Sequence, residues 1–414
     1  MSGPLEGIKV LDMSRILAGP WAGQLLGDYG ADVVKVEKPG SGDDTRHWGP
    51  PWLEGESEDR EAAYFLATNR HKRSLTVDIS TPAGQTLIRE LAQQADILIE
   101  NFRVGTLARF GLGPNELTAA NPGLIYCSIS AFGQSGTRAG QPGYDAMIQA
   151  SAGLMSITGP ADDEGGGPQK VGVAVSDIMA GMYAVTAILA ALEERRRSGQ
   201  GQAIDVPLYD SQVAWLANQA MNYLIGGETP VRRGTAHPNL VPYQTFASSD
   251  GYFTLAVGND RQFAACVDCL GQPQLAADPR FMRNADRVSY RDALIRILEE
   301  AFRKQPTGHW LEVFARAGVP VGPINTIAEV LTDAYAEERG LVRKLPHALD
   351  PSLPTVANPV SFSRTAICYG SAPPLLGEHT DEVLRDWLGY STSRVKELAA
   401  SGAISREFGN PGQK

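Results

Sequence analysis

The chain has 414 residues, 43% of them hydrophobic, which is enough for two or three lobes with a substantial apolar core. It carries 47 acidic residues against 37 basic ones, a formal net charge of −10. This charge argues against a general nucleic-acid-binding protein, since phosphate contacts need a basic face, but it leaves room for a local basic pocket. Four scattered cysteines do not form a disulfide framework and favour a reducing compartment.

The N-terminus has no basic region followed by an apolar run, so we expect no signal peptide. The longest apolar stretch, Ile178 to Leu192, has about 15 residues, whereas a bilayer span takes roughly 20. We therefore predict a buried helix there and a cytoplasmic protein without a membrane partner.

Short β-rich runs alternate with longer segments of helical composition through the first half. The runs are Ile8–Met13, Val33–Glu37, Leu75–Asp78, Ile97–Glu100, Leu124–Ser130 and Ala203–Pro207, and the clearest helical segments are Pro82–Ala95 and Asp177–Arg197. Such alternation predicts an α/β fold whose parallel sheet is covered on both faces. We expect a large Rossmann-like lobe.

The pattern changes after about Gln212. Segment 231–258 is rich in Pro, Gly, Ser and Asn, and we predict a hairpin arm at Tyr252–Val257, helices at Arg261–Leu270 and Tyr290–Arg303, and a linker at Gly318–Pro323. The expected organisation is a large α/β lobe over residues 1–210, a smaller α+β lobe over 225–320, and a C-terminal segment, 321–414, that returns to the large lobe.

Several common chemistries lack their signatures. The turn after the first strand, Gly19 to Gly23, lacks G-x-G-x-x-G, which argues against a nicotinamide-dependent oxidoreductase. Cys266 and Cys269 have no second cysteine pair, so we interpret them as core residues and predict no metal site. The absence of a G-x-S-x-G elbow disfavours serine hydrolysis.

Basic residues follow the predicted strands of the first half. They are Lys38, Arg46, Lys72, Arg73, Arg103 and Arg109. Open parallel sheets bind ligands outside the carboxyl ends of their strands, so a cluster of cations there indicates an anionic, phosphorylated ligand. For each single cation, a solvated surface position is the alternative.

The long apolar helix begins with a notable pair. Ser176 can act as its N-cap, Asp177 occupies its first turn, and Gly199 follows its basic end as a C-cap. Asp177 either complements the helix dipole or serves as a nucleophile. An ionised aspartate can attack a thioester without a general base, since it needs no deprotonation near pH 7.

The chain resembles the family III CoA-transferases, the group of formyl-CoA and carnitine CoA-transferases with the related 2-methylacyl-CoA racemases. The resemblance covers nearly the whole length. Its motifs are the segments 5–12, 30–37, Gly40-Ser41-Gly42-Asp43, 69–74, Glu100-Asn101-Phe102, Gly143-Tyr144-Asp145 and 373–380.

The resemblance implies a mechanism and a site. Asp177 matches the family's catalytic aspartate, which attacks an acyl-CoA thioester and passes through an anhydride and an aspartyl-CoA thioester. The positions that match the family's CoA contacts are Arg15, Ile16, Lys38, Lys72, Asn101, Phe102 and Arg109, with Arg46 and Arg73 nearby. The resemblance also implies an interlocked homodimer, with the CoA thioester as substrate and no tightly bound cofactor.

Two departures narrow the expected reaction. The racemases carry a histidine directly before the aspartate of the Gly-x-Asp motif, whereas here Tyr144 precedes Asp145. Because the ordinary pKa of tyrosine is near 10, it suits proton shuttling poorly, and a transferase is favoured over a 2-methylacyl-CoA racemase. A non-catalytic CoA-binding protein is a further alternative.

The second departure concerns the small lobe, where formyl-CoA transferases have a run of glycines that covers the aspartyl intermediates. The segment 234–238 here resembles the succinate–hydroxymethylglutarate CoA-transferase branch instead. That likeness implies succinyl-CoA as donor and a dicarboxylate acceptor of the glutarate, itaconate, hydroxymethylglutarate, malate or citramalate type. His237 either contacts the free carboxylate of the acceptor or structures its loop, and Tyr144 and Asp145 complete the expected substrate site.

Overall fold

The structure is a computed structural model that describes residues 3–55 and 59–405. The strands are β1 (Lys9–Asp12), β2 (Asp32–Glu37), β3 (Trp52–Glu54), β4 (Arg60–Ala62), β5 (Lys72–Thr76), β6 (Ile97–Glu100), β7 (Ile125–Ser130), β8 (Ala203–Pro207), β9 (Tyr243–Ala247), β10 (Tyr252–Ala256), β11 (Val321–Pro323), β12 (Val342–Leu345) and β13 (Leu353–Val356). The α-helices are α1 (Ala18–Asp28), α2 (Ala63–Leu66), α3 (Pro82–Gln94), α4 (Pro114–Ala120), α5 (Asp145–Ser151), α6 (Val175–Ser198), α7 (Leu208–Trp215), α8 (Ala217–Gly226), α9 (Asp260–Cys269), α10 (Asn284–Ser289), α11 (Arg291–Phe302), α12 (Thr307–Arg316), α13 (Ile327–Thr332), α14 (Ala334–Arg339), α15 (Thr380–Leu388) and α16 (Thr392–Ala400).

The chain divides into two compact units. The large unit comprises Met1–Ala152, Gly172–Trp215 and Ala334–Lys414, and the small unit comprises Gly153–Val171 and Leu216–Asp333.

The large unit is built on a six-stranded parallel sheet in the order β5-β2-β1-β6-β7-β8. Counted in order of appearance within this sheet, the order is 3-2-1-4-5-6, the arrangement of a doubly wound nucleotide-binding fold. The predicted α/β class is confirmed, and a strand lies at each of the six positions predicted in the first half, although the third runs over Lys72–Thr76 rather than Leu75–Asp78. The strand order reverses between β1 and β6, and ligands of such sheets bind where this reversal leaves a crevice.

Alternating side chains of the sheet pack into two separate cores. Leu11, Val34 and Leu98 face one cluster with residues of α3, α4, α15 and α16. Val10 and Ile97, one position away, face the other cluster with residues of α1, α5, α6 and α7. Both faces of the sheet are therefore covered, as a parallel sheet requires.

Helix α6 confirms the predicted long helix but begins differently. Ala174 is its N-cap, and Ser176 lies inside the first turn, where its hydroxyl donates a hydrogen bond to Gln212 Oε1 at 2.9 Å. The predicted capping role of Ser176 is therefore wrong. Gly199 ends the helix as predicted, with a φ of 77° and its N–H donating to the Arg195 carbonyl.

Helix α6 is long and apolar enough, by length and composition, to cross a membrane, and it is the one such helix among residues 3–55 and 59–405. Within its most apolar window, 44% of the residues are buried. Ala180, Ala184 and Ile188 pack in the same core as residues of α1, so the helix serves as a core element of the large unit.

The small unit has a three-stranded antiparallel sheet in the order β11-β10-β9. Its core is aromatic, with the Phe302 ring centroid 4.8 Å from that of Phe246 and 5.2 Å from that of Phe253. The linker predicted at Gly318–Pro323 is wrong, because Val321–Pro323 forms the edge strand β11 beside β10. The valines and prolines of that segment suit an edge strand.

Candidate active site

Two loops meet at the reversal point of the large sheet, one after β1 and one after β6. The Arg15 N–H donates to Asn101 Oδ1 at 2.8 Å, and Asn101 Nδ2 donates back to the Arg15 carbonyl at 2.7 Å. Ile16 has a φ of 72°, an unusual conformation for a β-branched residue. Its N–H donates to both carboxylate oxygens of Asp43 at 3.2 Å, so hydrogen bonds fix this loop from two sides.

These loops line a cavity of about 230 Å³, named here the Asp177 cavity. Six residues that the sequence predicted for the site lie in its wall: Arg15, Ile16, Asn101, Phe102, Tyr144 and Asp177. Segments far apart in sequence are therefore brought together where the doubly wound fold places its ligands.

The carboxylate of Asp177 is half-buried and accepts no hydrogen bond from any residue in the described parts of the chain. Burial raises its pKa to about 7, and the nearby carboxylate of Asp145 adds to the shift. The sequence-based argument used the ordinary pKa of aspartate, and burial moves the pKa of Asp177 away from that value. Near neutral pH, about half of the molecules hold the proton.

Asp145 supports the first turn of α6. Its Oδ1 accepts the backbone N–H of Ser176 at 2.8 Å, and its Oδ2 accepts Gln149 Nε2 at 2.7 Å. The first N–H groups of a helix lack partners within the helix, and here a carboxylate 31 residues earlier supplies one. This explains why Ser176 is not needed as a cap.

A second cavity, of about 520 Å³, lies beside the loops after β1, β2 and β6 and is named here the Lys38 cavity. Arg15 and Phe102 line both cavities, and the Arg15 guanidinium lies 5.4 Å from the centre of the Phe102 ring. Lys38 is exposed, and its ammonium forms no ion pair with a described residue. Asp44 is 2.9 Å from Arg15, so the cavity carries both signs of charge.

Three predicted cations are engaged by carboxylates of the chain instead. Arg46 binds Glu37 at 2.8 Å and also contacts Glu61; it is 1% exposed. Lys72, equally buried, binds Asp12 at 2.9 Å. Neither side chain lines the two cavities.

Arg73 is likewise committed, to Asp32 at 2.7 Å, Glu382 at 3.0 Å and Asp386 at 2.9 Å. Arg109 is exposed and lies outside the walls of both cavities.

His237 belongs to the small unit. Its Nδ1 accepts the N–H of Asn239 at 3.0 Å, and its ring meets the Tyr243 ring edge-on with centroids 5.2 Å apart. Burial and the neighbouring Arg291 lower its pKa. These contacts structure the loop that carries it.

Sequence reasoning missed Tyr64 in the neighbourhood of Asp177. Burial raises the pKa of Tyr64, and the carboxylates of Asp177 and Asp145 raise it further, which places the three groups within electrostatic reach. The Tyr64 ring packs edge-on against Trp48 with centroids 5.2 Å apart. No spacing pattern marks this residue. Arg103 also lines the Asp177 cavity, and the sequence indicates it as one of the cations that follow the predicted strands.

No group of three or more His, Cys, Asp or Glu residues in the described ranges is arranged to hold a metal ion. The Cys266 side chain is buried in the apolar core of the small unit, consistent with a packing role.

Residues 5–380 match the family described as CoA-transferase family III. The chain belongs to this family. A relative named succinate–glutarate CoA-transferase, from Agrobacterium fabrum, is 47% identical over 92% of this chain and 95% of its own length. A relative named succinyl-CoA:glutarate CoA-transferase, from Mus musculus, is 42% identical over 97% of this chain and 91% of its own length.

A solved structure has the same fold. It is a CAIB/BAIF family protein from Brucella suis, 47% identical, with a TM-score of 0.82 over 94% of this chain and 100% of that one. The family predicted from the sequence motifs is confirmed, and so is the CoA-transferase class of the enzyme.

Proposed function

We propose that this CoA-transferase moves CoA from succinyl-CoA to a dicarboxylic acid, with Asp177 as its nucleophile. The observation that supports the proposal best is the position of the Asp177 carboxylate. It shares a cavity with Arg15 and Asn101, and it is free of hydrogen bonds from the described residues. The acceptor class follows the relatives, whose names specify glutarate.

The proposed reaction has four steps in which bonds exchange at carbonyl carbons. An oxygen of Asp177 attacks the thioester carbonyl, and CoA leaves as a thiolate, which gives an acyl–aspartyl anhydride. The thiolate attacks the aspartyl carbonyl and releases succinate. The acceptor carboxylate then attacks the aspartyl-CoA thioester and again releases the thiolate. The thiolate finally attacks the acceptor carbonyl, which gives the new acyl-CoA and frees Asp177.

CoA leaves twice and returns twice, so it must stay bound between steps. We assign this role to the two loops that carry Arg15, Ile16, Asn101 and Phe102 beside Asp177, together with Lys38 in the neighbouring cavity and Arg109 on the surface. We assign a supporting role to three further cations, which stabilise the fold around the site without contacting CoA. They are Arg46, Lys72 and Arg73, whose donors already bind carboxylates of the chain.

The remaining site assignments concern substrate contacts. Tyr144, 64% exposed in the wall of the Asp177 cavity, contacts the acyl group, Asp145 holds the first turn of α6, and His237 contacts the acceptor. We further propose an interlocked homodimer in the cytoplasm without a tightly bound cofactor. The lobes that we propose, residues 1–210 and 225–320 with a returning C-terminal segment over 321–414, differ from the two compact units in that residues 153–171 and 321–333 belong to the small unit.

Intact-protein mass spectrometry after mixing with succinyl-CoA tests the chemistry. We expect a covalent adduct that hydroxylamine converts to a hydroxamate at Asp177, and no adduct in Asp177→Ala. Asp163→Ala, which removes an exposed carboxylate of the small unit, is the matched control and should form the adduct normally.

The other outcomes separate the alternatives. Exchange of an α-proton for deuterium in a chiral 2-methylacyl-CoA, without an adduct or an acceptor, would identify a racemase. Binding of CoA thioesters with neither signal would identify a non-catalytic CoA-binding protein.

A further inference from the structure

The wall of the Asp177 cavity contains two cations among the residues that the structure describes, Arg15 and Arg103. The Arg15 guanidinium is engaged, because it binds Asp44 at 2.9 Å and lies over the Phe102 ring. Arg103 is exposed, and its guanidinium forms no hydrogen bond or ion pair with a described residue. Of the described cations in this wall, Arg103 is therefore the one whose donors are available to a ligand.

The backbone on both sides of Arg103 is fixed. The Phe102 N–H donates to Oε2 of the buried Glu100 at 2.8 Å. The Thr106 N–H donates to the Arg103 carbonyl at 2.9 Å, and Gly105, at the third position of this turn, has a φ of 80°. A positive φ at that position is typical of a type II turn and suits glycine. The loop therefore holds Arg103 on a preorganised backbone, which lowers the cost of binding a ligand.

Arg103 reaches only one of the two neighbouring cavities. Arg15 and Phe102 line both, and Lys38, which we assign to CoA, lines the Lys38 cavity. Arg103 lines the Asp177 cavity and is not part of the wall of the Lys38 cavity. Its position therefore favours a contact with the acid that reacts at Asp177 over a contact with the phosphates of CoA.

The proposed reaction places two acids beside Asp177 in turn. Succinate leaves from the aspartyl carbonyl, and the acceptor carboxylate attacks the same carbonyl, so the two acids use the same space. Each has a second carboxylate that does not react, and burying such a charge without a partner is costly. Val104, Ile129 and Leu208 give the same cavity apolar walls, which suit the methylene chain between the two carboxylates.

We propose that Arg103 binds the unreactive carboxylate of both acids, first that of the succinyl donor and then that of the dicarboxylate acceptor. This inference rests on the proposed function and assigns a specificity-determining residue within the large unit. A guanidinium binds a carboxylate through paired N–H donors. Because no described residue restrains the long side chain of Arg103, it can adjust to succinate and glutarate, which differ by one methylene.

Steady-state kinetics with an isosteric pair of acids test the acceptor half of the inference. Glutarate has two carboxylates, and glutarate monoamide replaces one of them with an uncharged amide. In Arg103→Gln we expect the KM for glutarate to rise about 10- to 100-fold, the loss of one charge-assisted hydrogen bond. The inhibition constant of the monoamide against glutarate, which requires no turnover of the monoamide, should change little. Arg103→Lys, which keeps the charge, should recover part of the loss.

The rate of adduct formation at Asp177 tests the donor half. The two thioesters are succinyl-CoA and its succinamoyl analogue, in which an amide replaces the free carboxylate. Arg103→Gln should lower the second-order rate constant for succinyl-CoA by a similar factor and leave that for the analogue nearly unchanged. Arg197→Gln is the control and should keep all values, since Arg197 is exposed in the last turn of α6 and lines neither cavity.

Three results would overturn the inference. Unchanged constants for glutarate and succinyl-CoA in Arg103→Gln would assign the free carboxylate to another group. Equal losses with both thioesters would assign Arg103 to CoA. A loss confined to the donor or to the acceptor would refute a shared site.

Failure of the proposed function is a separate outcome. If the wild-type protein forms no adduct and transfers CoA to no acid, calorimetric titration of the full chain with glutarate and with its monoamide still tests the site. Tighter binding of glutarate that disappears in Arg103→Gln supports it. No preference of the wild-type protein for glutarate, or a preference that the variant keeps, refutes it.

Discussion

The Lys35 ammonium lies 2.8 Å from the Asp43 carboxylate, and neither side chain is exposed to solvent. Lys35 also donates to the Ser14 carbonyl at 2.9 Å, while Asp43 accepts the N–H of Ile16. This buried pair therefore holds Ser14 and Ile16, the two residues that flank Arg15 in the loop between β1 and α1. The loop lines the Asp177 cavity, so a charge pair behind the site fixes the geometry of its wall.

Substitution Asp43→Asn should destabilise the protein and weaken binding of the CoA thioester. Burial opposes ionisation of Asp43, but Lys35 outweighs it and keeps the pKa of this carboxyl below its usual value. Removing the charge takes away the strongest charge partner of the buried Lys35 ammonium and leaves only Asp12 and Glu37. This loss should cost about 2–4 kcal/mol in the free energy of unfolding. Urea denaturation measures this, and the KM for succinyl-CoA should rise more than kcat falls.

Asp44→Asn is the matched control for the stability measurement. Asp44 is adjacent in sequence, but its pair with Arg15 is exposed and should contribute at most about 1 kcal/mol. Equal losses of stability in the two variants would contradict the role assigned to the buried pair.

The rate of adduct formation should rise with pH through a midpoint of about 7. The nucleophile is the ionised form of Asp177, whose pKa burial and Asp145 raise to about 7. At pH 5, roughly one molecule in 100 is ionised, and the rate should be about 100-fold below its plateau near pH 9. Rapid-quench mass spectrometry under single-turnover conditions measures it, and a pH-independent rate between 5 and 9 would refute this assignment.

The sequence could predict the sheet because its central strands β1, β2, β6 and β7 are buried on both faces and appear as largely apolar runs. The outer strands gave a weaker signal, since β5 begins with two cations and β8 is partly exposed. The strands β3, β4, β12 and β13 have only three or four residues each and leave no comparable pattern. Asp177 could be singled out by its place in the first turn of a helix, but its raised pKa depends on burial, which a linear pattern does not contain. The cations show the same limit, because Lys38 and Arg46 both follow β2, yet one is exposed and the other binds Glu37.

Substitution Asp145→Asn should move the midpoint of adduct formation to lower pH. The negative charge of Asp145 raises the pKa of Asp177, so its removal leaves burial as the remaining cause. The same change weakens the acceptor for the Ser176 N–H and should cost about 0.5–2 kcal/mol of stability. The pH profile distinguishes this electrostatic effect from a loss of folded protein, which would lower the rate equally at every pH. An upward shift of the midpoint would contradict it.

Substitution Asp177→Asn should stabilise the protein at alkaline pH. The pKa of Asp177 is raised from 3.8 to about 7 on folding, so between these values the folded state binds a proton that the unfolded state lacks. The stability of the wild-type protein therefore falls as pH rises from about 4 to 7, and the loss is complete above 7. Asparagine does not titrate, so the variant should not show this loss. The free energy of unfolding of the variant minus that of the wild type should therefore be about 2–4 kcal/mol larger at pH 8 than at pH 4. Urea denaturation at the two pH values measures the difference. Asp268→Asn, at an exposed position, is the control and should show no such change. If the stability of wild type and of Asp177→Asn depended equally on pH, the raised pKa assigned to Asp177 would be refuted.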